Sequence, residues 1–486
     1  MTMRTGMAPS QNAGLVEVTS LGILDELLAR TPLRPGVLAT PPAGSGLKPV
    51  PGDRGLPFVG LGLQTVRYGP AFQIQLMRRH GPVSWWQAFG RRIVAVCGPE
   101  AVSAVLSNRD RAFGTGWPAV IGPWFDGGLL ATDPPRHLAD RRLMQAAYSE
   151  DALGGYLRRM AADIGTALDR WPTDRPVKAV PAIRALSGEI TTGAFLNEPY
   201  DPVGREVMDA VEACIRAETA LVRQPVPGTA WRRADRARRW LTGHLGAALP
   251  AARARTGDDF LSVLCGLTGT DGSGWDDAQL VEHMIFTLIA SHDTTTAATI
   301  ATLYFLGKHP QWQRRARAES FACGDVPADL AYLDRLRTLD LVVKESIRLV
   351  SPSPIAMRVT VKDTDILGHF VPAGQLVCVC TGVNQLLPEL WPEPQRFDPE
   401  RFDEDRAGDR VHRLAWAPFG AGQHKCIGMR FGMLKVKATL DALLRRFTWS
   451  FPPSYEARWR FTSLPAPADG LPVVLHRAHA RTAGSA

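Results

Sequence analysis

The sequence lacks the features that would place the chain inside a membrane or on a nucleic acid. No run of about 18 apolar residues is present to span a bilayer, and the N-terminus lacks the charged-then-apolar layout of a signal peptide. The net charge is a mild +8, and no Lys/Arg block with interleaved aromatics forms a nucleic-acid footprint. We therefore expect a cytoplasmic protein without a transmembrane anchor or a nucleic-acid partner.

Paired cysteines are lacking as well. The seven cysteines form no CxxC pair and show no disulfide-like spacing. An odd number of scattered cysteines is typical of a reducing compartment, where most thiols are buried and inert.

The N-terminal part of the chain differs in composition from the rest. Residues 15–30 can form a short amphipathic helix, which either packs on the domain or makes a peripheral contact with a membrane surface. Residues 31–60 are rich in Pro and Gly and indicate an extended segment. We expect an N-terminal extension over 1–50, one main domain over 51–480 and a flexible tail over 481–486.

Helical periodicity dominates the remainder of the chain. It is clear near 99–107, 136–148, 150–170, 204–220, 230–247, 276–306, 310–322 and 333–349. Two strand-like runs flank a Gly-Arg turn in 82–98, and strand signals return at 357–380 and 459–476. The pattern predicts a mainly α fold with a small β part (α+β) rather than alternating βαβ units.

Residues 276–306 predict one long buried helix. Asp276 and Asp277 stand at its start, where the helix dipole favours acids, and Gly307 and Pro310 are expected to end it. The segment is apolar nearly all round, yet its centre reads SHDTTT (291–296). Because buried ionisable and hydroxyl groups cost free energy unless they are paired or used, this centre is a candidate site.

The segment APFGAGQHKCIGMRFG (417–432) surrounds Cys426 with small and flexible residues. A thiolate just before a helix is stabilised by unpaired N–H groups and by the helix dipole. Gly420, Gly422 and Gly428 let the backbone approach a flat object closely. Such a thiolate suits an axial haem ligand. The alternative for a lone Cys-Gly is a buried, inert cysteine, and the longer pattern favours the ligand.

The spacing Phe419-x-x-Gly422-x-x-x-Cys426-x-Gly428 resembles the haem-binding loop of the cytochrome P450 family. Four further segments match that family in the expected order. They are DPPRHLADRR (133–142), ASHDTT (290–295), Glu345-x-x-Arg348 and FDPERF (397–402). The resemblance covers roughly residues 50–478 and implies a single triangular, helix-rich catalytic unit with a buried haem b (iron protoporphyrin IX). The Arg- and Ala-rich composition without an anchor resembles a soluble bacterial member.

The resemblance implies roles for individual residues around the haem. Cys426 becomes the proximal thiolate, whose electron donation favours O–O cleavage. Phe419 lies near the haem on the thiolate side, and Gly428 and Ala290 approach the cofactor. The residues expected to pair with the haem propionates are His137, Arg141, Arg358 and His424. Glu345, Arg348 and Arg401 form a buried structural cluster whose disruption is expected to prevent haem incorporation.

Asp293 and Thr294 resemble the acid–alcohol pair that delivers protons to bound oxygen. The alternative for Thr294 is a hydroxyl bonded to the carbonyl one turn back, and for Asp293 a structural ion pair. His292 is expected to be structural. Ser291 replaces the glycine usual in the family, and its hydroxyl is expected to bond the carbonyl of Thr287.

The family positions also imply an apolar substrate pocket for a steroid, terpenoid or fatty-acyl compound. The candidate lining residues are Trp117, Ile121, Phe125, Phe286, Ile355 and Ser463, with Trp124 nearby. The alternative is that several of the aromatic residues belong to the core.

The partners implied are O2, a lipophilic small molecule, and an acidic ferredoxin with its reductase, because no flavin or nicotinamide domain is fused. The basic residues expected to face the ferredoxin are Arg142, Lys425, Arg430, Lys435 and Lys437. A monomer is expected. Two other functions stay open: haem-thiolate chemistry other than monooxygenation (peroxide-driven oxidation, dehydration or coupling), and a haem-bound binding protein without turnover.

Overall fold

The computed structural model describes residues 28, 30–255, 257–269, 272, 274–324, 329–406 and 408–478. These residues form two compact units. The first takes its residues from 1–120, 353–425 and 460–462, and the second from 121–352, 426–459 and 463–486. The predicted helix over 15–30, apart from Leu28 and Arg30, and the tail over 481–486 lie outside the described residues. The domain limits of 1–50 and 51–480 stay a prediction.

The described α-helices follow the predicted order closely. They are α1 (Gly62–Tyr68), α2 (Pro70–His80), α3 (Pro99–Ser107), α4 (Trp117–Ile121), α5 (Arg136–Met144), α6 (Glu150–Asp169), α7 (Ala179–Leu196), α8 (Pro202–Glu218), α9 (Ala230–Ala254), α10 (Phe260–Cys265), α11 (Asp277–Lys308), α12 (Pro310–Ala322), α13 (Leu330–Arg335), α14 (Arg337–Leu349), α15 (Thr381–Asn384) and α16 (Met429–Arg446). Short 3-10 helices occupy Pro123–Phe125, Gln145–Tyr148, Pro399–Phe402, Gly408–Arg410 and Gly422–His424. None of the described helices combines the length and apolar character needed to cross a membrane.

The strands are short, and most of them lie in the first unit. They are β1 (Pro35–Val37), β2 (Lys48–Pro49), β3 (Pro51–Asp53), β4 (Val83–Ala88), β5 (Arg91–Val96), β6 (Phe113–Thr115), β7 (Pro176–Lys178), β8 (Ala356–Thr360), β9 (Thr364–Ile366), β10 (His369–Val371), β11 (Leu376–Val379), β12 (Phe447–Ser450), β13 (Trp459–Arg460), β14 (Ala466–Pro467) and β15 (Pro472–Arg477). The mainly α fold with a small β part is therefore confirmed.

The first unit is built on a seven-stranded sheet in the order β1-β3-β4-β5-β11-β8-β6. A second sheet has the order β2-β10-β9. In the β4–β5 hairpin Ala88 lies opposite Arg91, so the turn residues are Phe89 and Gly90, with φ of 48° and 78°. The predicted Gly-Arg turn is thus displaced by one residue, because a two-residue hairpin turn of this type needs positive φ at both positions.

The second unit is built around α11, which packs against α7, α8, α9, α14 and α16. Asp276 and Gln279 form a capping box at its start, as the acidic N-terminus suggested. Gly307 does not end the helix, contrary to the prediction. It lies within the last turn, where a Cβ would come 2.6 Å from the Phe451 ring, so close packing explains the glycine. A three-stranded sheet in the order β12-β15-β7 completes the unit.

Helix α7 was not predicted from the sequence. Its segment AVPAIRALSGEITTGAFL mixes Gly, Pro and β-branched residues, which are weak helix formers. It is buried on several faces against α6, α8 and α11, so it shows little amphipathic periodicity. Tertiary packing stabilises this helix, and it brings Arg184, Ser187 and Thr191 to the centre of the unit.

Candidate functional site

Cys426 is the exposed member of the seven cysteines, all of which lie in the described residues. It stands three residues before α16, whose N-cap Gly428 offers no side chain to the first N–H groups. By contrast, four cysteines are buried, namely Cys97, Cys214, Cys378 in β11, and Cys380 just after that strand. The alternative of a buried, inert thiol does not describe Cys426.

Two groups from residues 136–148 lie near this thiol. Arg141 of α5 and Tyr148 lie within electrostatic reach of Cys426. Burial lowers the pKa of Arg141, and the negative charge of Cys426 partly offsets that change. A Cβ placed on Gly428 would lie 3.5 Å from the Tyr148 ring. The structure therefore brings the predicted residues Cys426, Arg141 and Gly428 together. Buried His137 shares the helix face of Arg141, one turn earlier.

The other predicted residues of the haem loop belong to the first unit. A Cβ on Gly422, whose φ is 71°, would lie 2.3 Å from the carbonyl oxygen of Leu106, so this loop position needs glycine. Phe419 is half-buried and packs edge-on against Trp416, with ring centroids 5.9 Å apart. Arg358 is buried in β8, and its Nη1 donates to the Met357 carbonyl oxygen over 2.9 Å. Half-buried His424 ends the 3-10 turn. The propionate roles of Arg358 and His424 stay predictions.

Both alternatives weighed for the acid–alcohol pair are present in α11. The Thr294 hydroxyl donates to the Ala290 carbonyl oxygen over 2.8 Å. The Asp293 carboxylate pairs with Arg184 of α7 at 2.8 Å. Burial raises the pKa of Asp293, Arg184 lowers it in part, and the charge of Glu212 raises it again. The pKa of Asp293 therefore lies above that of an exposed aspartate.

The remaining hydroxyls of the α11 centre bond to their own helix. Thr295 and Thr296 each donate to the carbonyl four residues earlier, at 2.6 and 2.7 Å. Ser291 donates to the Leu288 carbonyl over 3.4 Å, not to Thr287 as predicted. A serine in a helix can donate to the carbonyl three or four residues earlier, and Ser291 bonds to the one three residues earlier. These bonds satisfy buried groups that would otherwise destabilise the helix.

His292 is buried, and its structural role stays a prediction. Burial and the charges of Lys435 and Arg184 hold its pKa well below the ordinary value. Its Nε2 lies 3.9 Å from a Glu212 carboxylate oxygen.

Two of the five basic residues assigned to a ferredoxin face are buried, and that part of the prediction is wrong. Lys435 is 3% exposed and donates to the hydroxyls of Ser187 and Thr191, each over 2.9 Å. Burial lowers its pKa to about 7. Lys437 is also buried and pairs with Asp340 at 3.6 Å. They project from different sides of α16, Lys435 toward α7 and Lys437 toward α14.

The other three basic residues are exposed, namely Arg142, Lys425 and Arg430. Arg430 pairs with exposed Glu150 at 2.7 Å. Each of them is accessible to a partner protein.

The predicted structural pair in α14 forms a bidentate contact. Arg348 Nε and Nη2 donate to the Glu345 carboxylate over 2.6 and 2.9 Å, and both side chains are fully buried. In the first unit, buried Arg401 donates to the Pro392 and Glu393 carbonyl oxygens. Its membership of the cluster with Glu345 stays a prediction.

The candidate substrate residues are divided between the units. In the second unit Ile121 and Phe125 are buried, and Phe286 is half-buried against the loop at Gly128. Ser463 donates to the carboxyl group of Glu218 over 3.0 Å. In the first unit Trp117 and Ile355 are half-buried. Trp124 packs edge-on against Trp231 with centroids 4.9 Å apart, which is a core contact.

The charged residues around Asp293 that the sequence did not indicate are Arg184, Glu212 and Glu218. The first belongs to the helix that was not predicted, and the other two lie on the helical segment 204–220 among several other charged side chains. No local pattern distinguished them.

Comparison with known proteins agrees with this arrangement. The chain matches the sequence model of the family Cytochrome P450 over residues 50–464. It is 41% identical to cytochrome P450 136 of Mycobacterium tuberculosis over 462 residues, 94% of each chain. It is 30% identical to cyclooctat-9-en-7-ol 5-monooxygenase of Streptomyces melanosporofaciens, over 77% of this chain and 81% of that one. The cyanobacterial CYP120A1 structure with bound retinoic acid has a TM-score of 0.80 at 25% identity, covering 88% of this chain and 99% of the other. The chain belongs to the cytochrome P450 family of haem-binding oxidoreductases, and it has the fold of that family.

Proposed function

We propose that this protein is a haem-thiolate monooxygenase that inserts one oxygen atom from O2 into a lipophilic small molecule by hydroxylation or epoxidation. The observation that carries the proposal is the exposed Cys426 thiol, next to Arg141 and at the start of α16. The similarity to a named monooxygenase supports it.

The residues around Cys426 fit a haem b. Cys426 would hold the iron through its exposed thiol, the cation of Arg141 would suit a propionate, and Gly428 would leave the approach open. His137, Arg358, Phe419, His424 and Ala290 complete the proposed set. When bound, the haem supplies the activation of O2.

The protein's own contribution to chemistry is proton delivery at the α11 centre. The Arg184 side chain is 29% exposed while that of Asp293 is 10% exposed, so Arg184 connects the buried carboxylate to solvent. Glu212 lies 3.9 Å from the same guanidinium. The Asp293 carboxyl accepts a proton from this side and passes it to Thr294, whose hydroxyl must first leave the Ala290 carbonyl. The presence of both Asp293 and Thr294 supports O2-driven rather than peroxide-driven chemistry.

The substrate is proposed to be a terpenoid, steroid or fatty-acyl compound. The similar Streptomyces protein is named for cyclooctat-9-en-7-ol, and the similar cyanobacterial structure holds retinoic acid. Both compounds are mostly hydrocarbon. Ile121, Phe125 and Phe286 offer apolar surface in the second unit, and Trp117, Ile355 and Ser463 complete the proposed lining.

The electrons are proposed to come from an acidic ferredoxin and its reductase. Exposed Arg142, Lys425 and Arg430 provide the positive charge that steers such a partner. We place the protein in the cytoplasm, since none of the seven described cysteines forms a disulfide, and we expect a monomer.

The test is a titration of the purified ferric protein with steroids, terpenoids and fatty acids while the Soret band is followed. We expect a low- to high-spin shift with at least one class, and oxygen consumption coupled to product when a surrogate ferredoxin system is added. Turnover with peroxide but not with O2 and reduced ferredoxin would contradict the proposal.

A further inference from the structure

The loop that joins α8 to α9, residues 219–229, presents apolar side chains to solvent. Leu221 is 76% exposed, Val222 53% and Val226 51%. A single exposed apolar side chain is ordinary on a protein surface, but a group of them is typical of a surface that contacts a partner or a membrane. These three lie within a span of six residues, so the α8–α9 loop is a candidate contact surface.

The base of this loop is held in place by packing and hydrogen bonds. Trp231, in the first turn of α9, packs edge-on against Trp124 with ring centroids 4.9 Å apart. The Arg223 guanidinium carbon lies 5.5 Å from the centre of the Trp231 ring. The Thr229 hydroxyl donates to the carbonyl oxygen of Val226 over 2.7 Å. The apolar side chains are therefore exposed although the loop that carries them is fixed at its base.

Positive charge surrounds the same loop. Residues 219–239 contain six arginines and one acidic residue. Arg232 Nη1 donates to the Pro225 carbonyl oxygen over 3.2 Å, and Arg233 Nη1 donates to the Gly228 carbonyl oxygen over 3.0 Å. These two bonds place both guanidinium groups beside the exposed apolar side chains.

The one acid of this segment does not cancel its charge. Asp235 pairs with Arg239 at 2.7 Å, so the segment keeps an excess of five arginines. Of these, Arg232, Arg233 and Arg236 are exposed. The α8–α9 loop with the start of α9 is thus both apolar and strongly basic.

This combination matches a phospholipid surface. Anionic headgroups attract the cations, and the boundary between headgroups and acyl chains takes up the apolar side chains. Aliphatic side chains on one short loop offer a protein partner little contact area, whereas a bilayer accepts them without a preformed pocket.

We propose that the α8–α9 loop and the start of α9 bind the surface of a membrane that contains anionic phospholipids. The three apolar side chains enter the boundary between headgroups and acyl chains, and the exposed arginines of α9 contact the lipid phosphates. The binding is peripheral and involves residues other than the segment 15–30. It does not depend on the reaction proposed above.

Cosedimentation of the full-length protein with lipid vesicles tests the inference. Vesicles made of equal parts of phosphatidylcholine and phosphatidylglycerol are compared with vesicles of phosphatidylcholine alone. An arginine near an anionic surface strengthens binding roughly fivefold, so the three exposed arginines should favour the anionic vesicles by roughly 100-fold. Salt should weaken this binding. Hydrogen exchange in residues 219–239 should slow when the anionic vesicles are added.

The first variant removes the apolar contact. L221S/V222S/V226S should bind the anionic vesicles at least about tenfold more weakly than the wild type. The matched control is V361S/V411S, at two valines elsewhere in the chain that are 61% and 62% exposed. This control should bind like the wild type, and circular dichroism checks that both proteins are folded.

A second variant removes charge. R236Q should weaken binding to the anionic vesicles roughly fivefold and leave binding to phosphatidylcholine alone unchanged. R314Q, at an exposed arginine of α12, is its matched control and should change neither. An equal loss in R236Q and R314Q would show that only the overall charge of the protein matters, which contradicts the inference.

Two further results would overturn it. A wild-type protein that does not bind the anionic vesicles would point to an acidic protein as the partner of this surface. Full binding by L221S/V222S/V226S would show that another part of the chain contacts the lipid. Neither result bears on the proposed reaction, which the Soret titration tests separately.

Discussion

Two ion pairs in the second unit differ in how far their side chains are shielded from solvent. In α14 the Glu345–Arg348 contact is bidentate and both side chains have no exposed surface. Between α11 and α7, Asp293 meets Arg184 through one guanidinium nitrogen at 2.8 Å, and Arg184 is 29% exposed. The first pair can only hold the fold, because no proton or solvent reaches it. The second can exchange protons with solvent, which is what a delivery route requires. The exposure of the pair therefore agrees with the structural role predicted for Glu345 and Arg348 and with the proton-transfer role proposed for Asp293.

The largest effect is expected from breaking the closed pair. R348A would leave the Glu345 carboxylate without its bidentate partner in a fully buried position. Stranding such a charge costs about 3–5 kcal/mol of unfolding free energy. Urea unfolding followed by circular dichroism, together with haem content, measures the effect. R184A is the matched control. Similar losses of unfolding free energy in R348A and R184A would show that the two ion pairs contribute equally to stability, contrary to our expectation.

The next effect concerns turnover rather than stability. D293N and T294A remove proton transfer groups, so product formation should fall by about 10²-fold in D293N. T294A should release more of the consumed oxygen as peroxide. The measurements are the product formed per oxygen consumed and the melting temperature, which should change little. A stability loss in D293N as large as that in R348A would assign Asp293 a structural role instead.

Lys435 differs from both ion pairs because its buried amine is bonded to the neutral hydroxyls of Ser187 and Thr191. Burial lowers its pKa from the ordinary 10.5 to about 7, so above pH 7 the unfolded chain binds a proton that the folded protein does not. Wild-type stability should then rise with pH between 7 and 9, by up to about 1.4 kcal/mol per pH unit. K435M lacks this dependence and should be at least as stable as the wild type at pH 7.

The neighbours of Lys435 make this substitution tolerable. Without the lysine, the Ser187 hydroxyl still donates to the His292 carbonyl oxygen, and the Thr191 hydroxyl still donates to the Ser187 carbonyl oxygen. Urea unfolding of both proteins across that pH range tests the prediction. A difference between K435M and wild type that does not shrink as pH rises would contradict it.

The smallest effect is expected at the exposed pair Arg430–Glu150. Surface pairs contribute about 0–1 kcal/mol, so R430E should leave the unfolding free energy nearly unchanged. Its effect should be on the rate of reduction by an acidic ferredoxin, which should fall severalfold at low salt and recover as salt screens the charge. Stopped-flow reduction over a salt series measures it. An unchanged rate and salt slope would remove Arg430 from the docking face.

The sequence predicted the parts of the site that depend on local pattern. The glycine spacing around Cys426 reflects a loop geometry, as Gly422 shows by its contact with the Leu106 carbonyl. The acidic start of α11 forms the capping box, and Glu345 and Arg348 meet because they are one helical turn apart. The last two features are set by residues close in sequence, and the glycine spacing is a local pattern even though Gly422 is required by its approach to Leu106.

The parts that the sequence did not reveal depend on packing between distant segments. Helix α7 has weak intrinsic propensity and is stabilised by its neighbours, so Arg184 could not be placed. Lys435 looked like a surface charge, but it is buried by Ser187 and Thr191 of that same helix. The contact of Glu218 with Ser463 joins residues far apart in the chain.

The ligand role of Cys426 is tested by the absorption spectrum of the reduced, CO-bound protein in wild type, C426S and C378S. Cys426 is exposed beside Arg141, whereas Cys378 is closed within β11. We expect the spectrum of a thiolate-ligated haem in wild type and C378S and its loss in C426S. A thiolate spectrum that survives in C426S, or one that is lost in C378S alone, would contradict it.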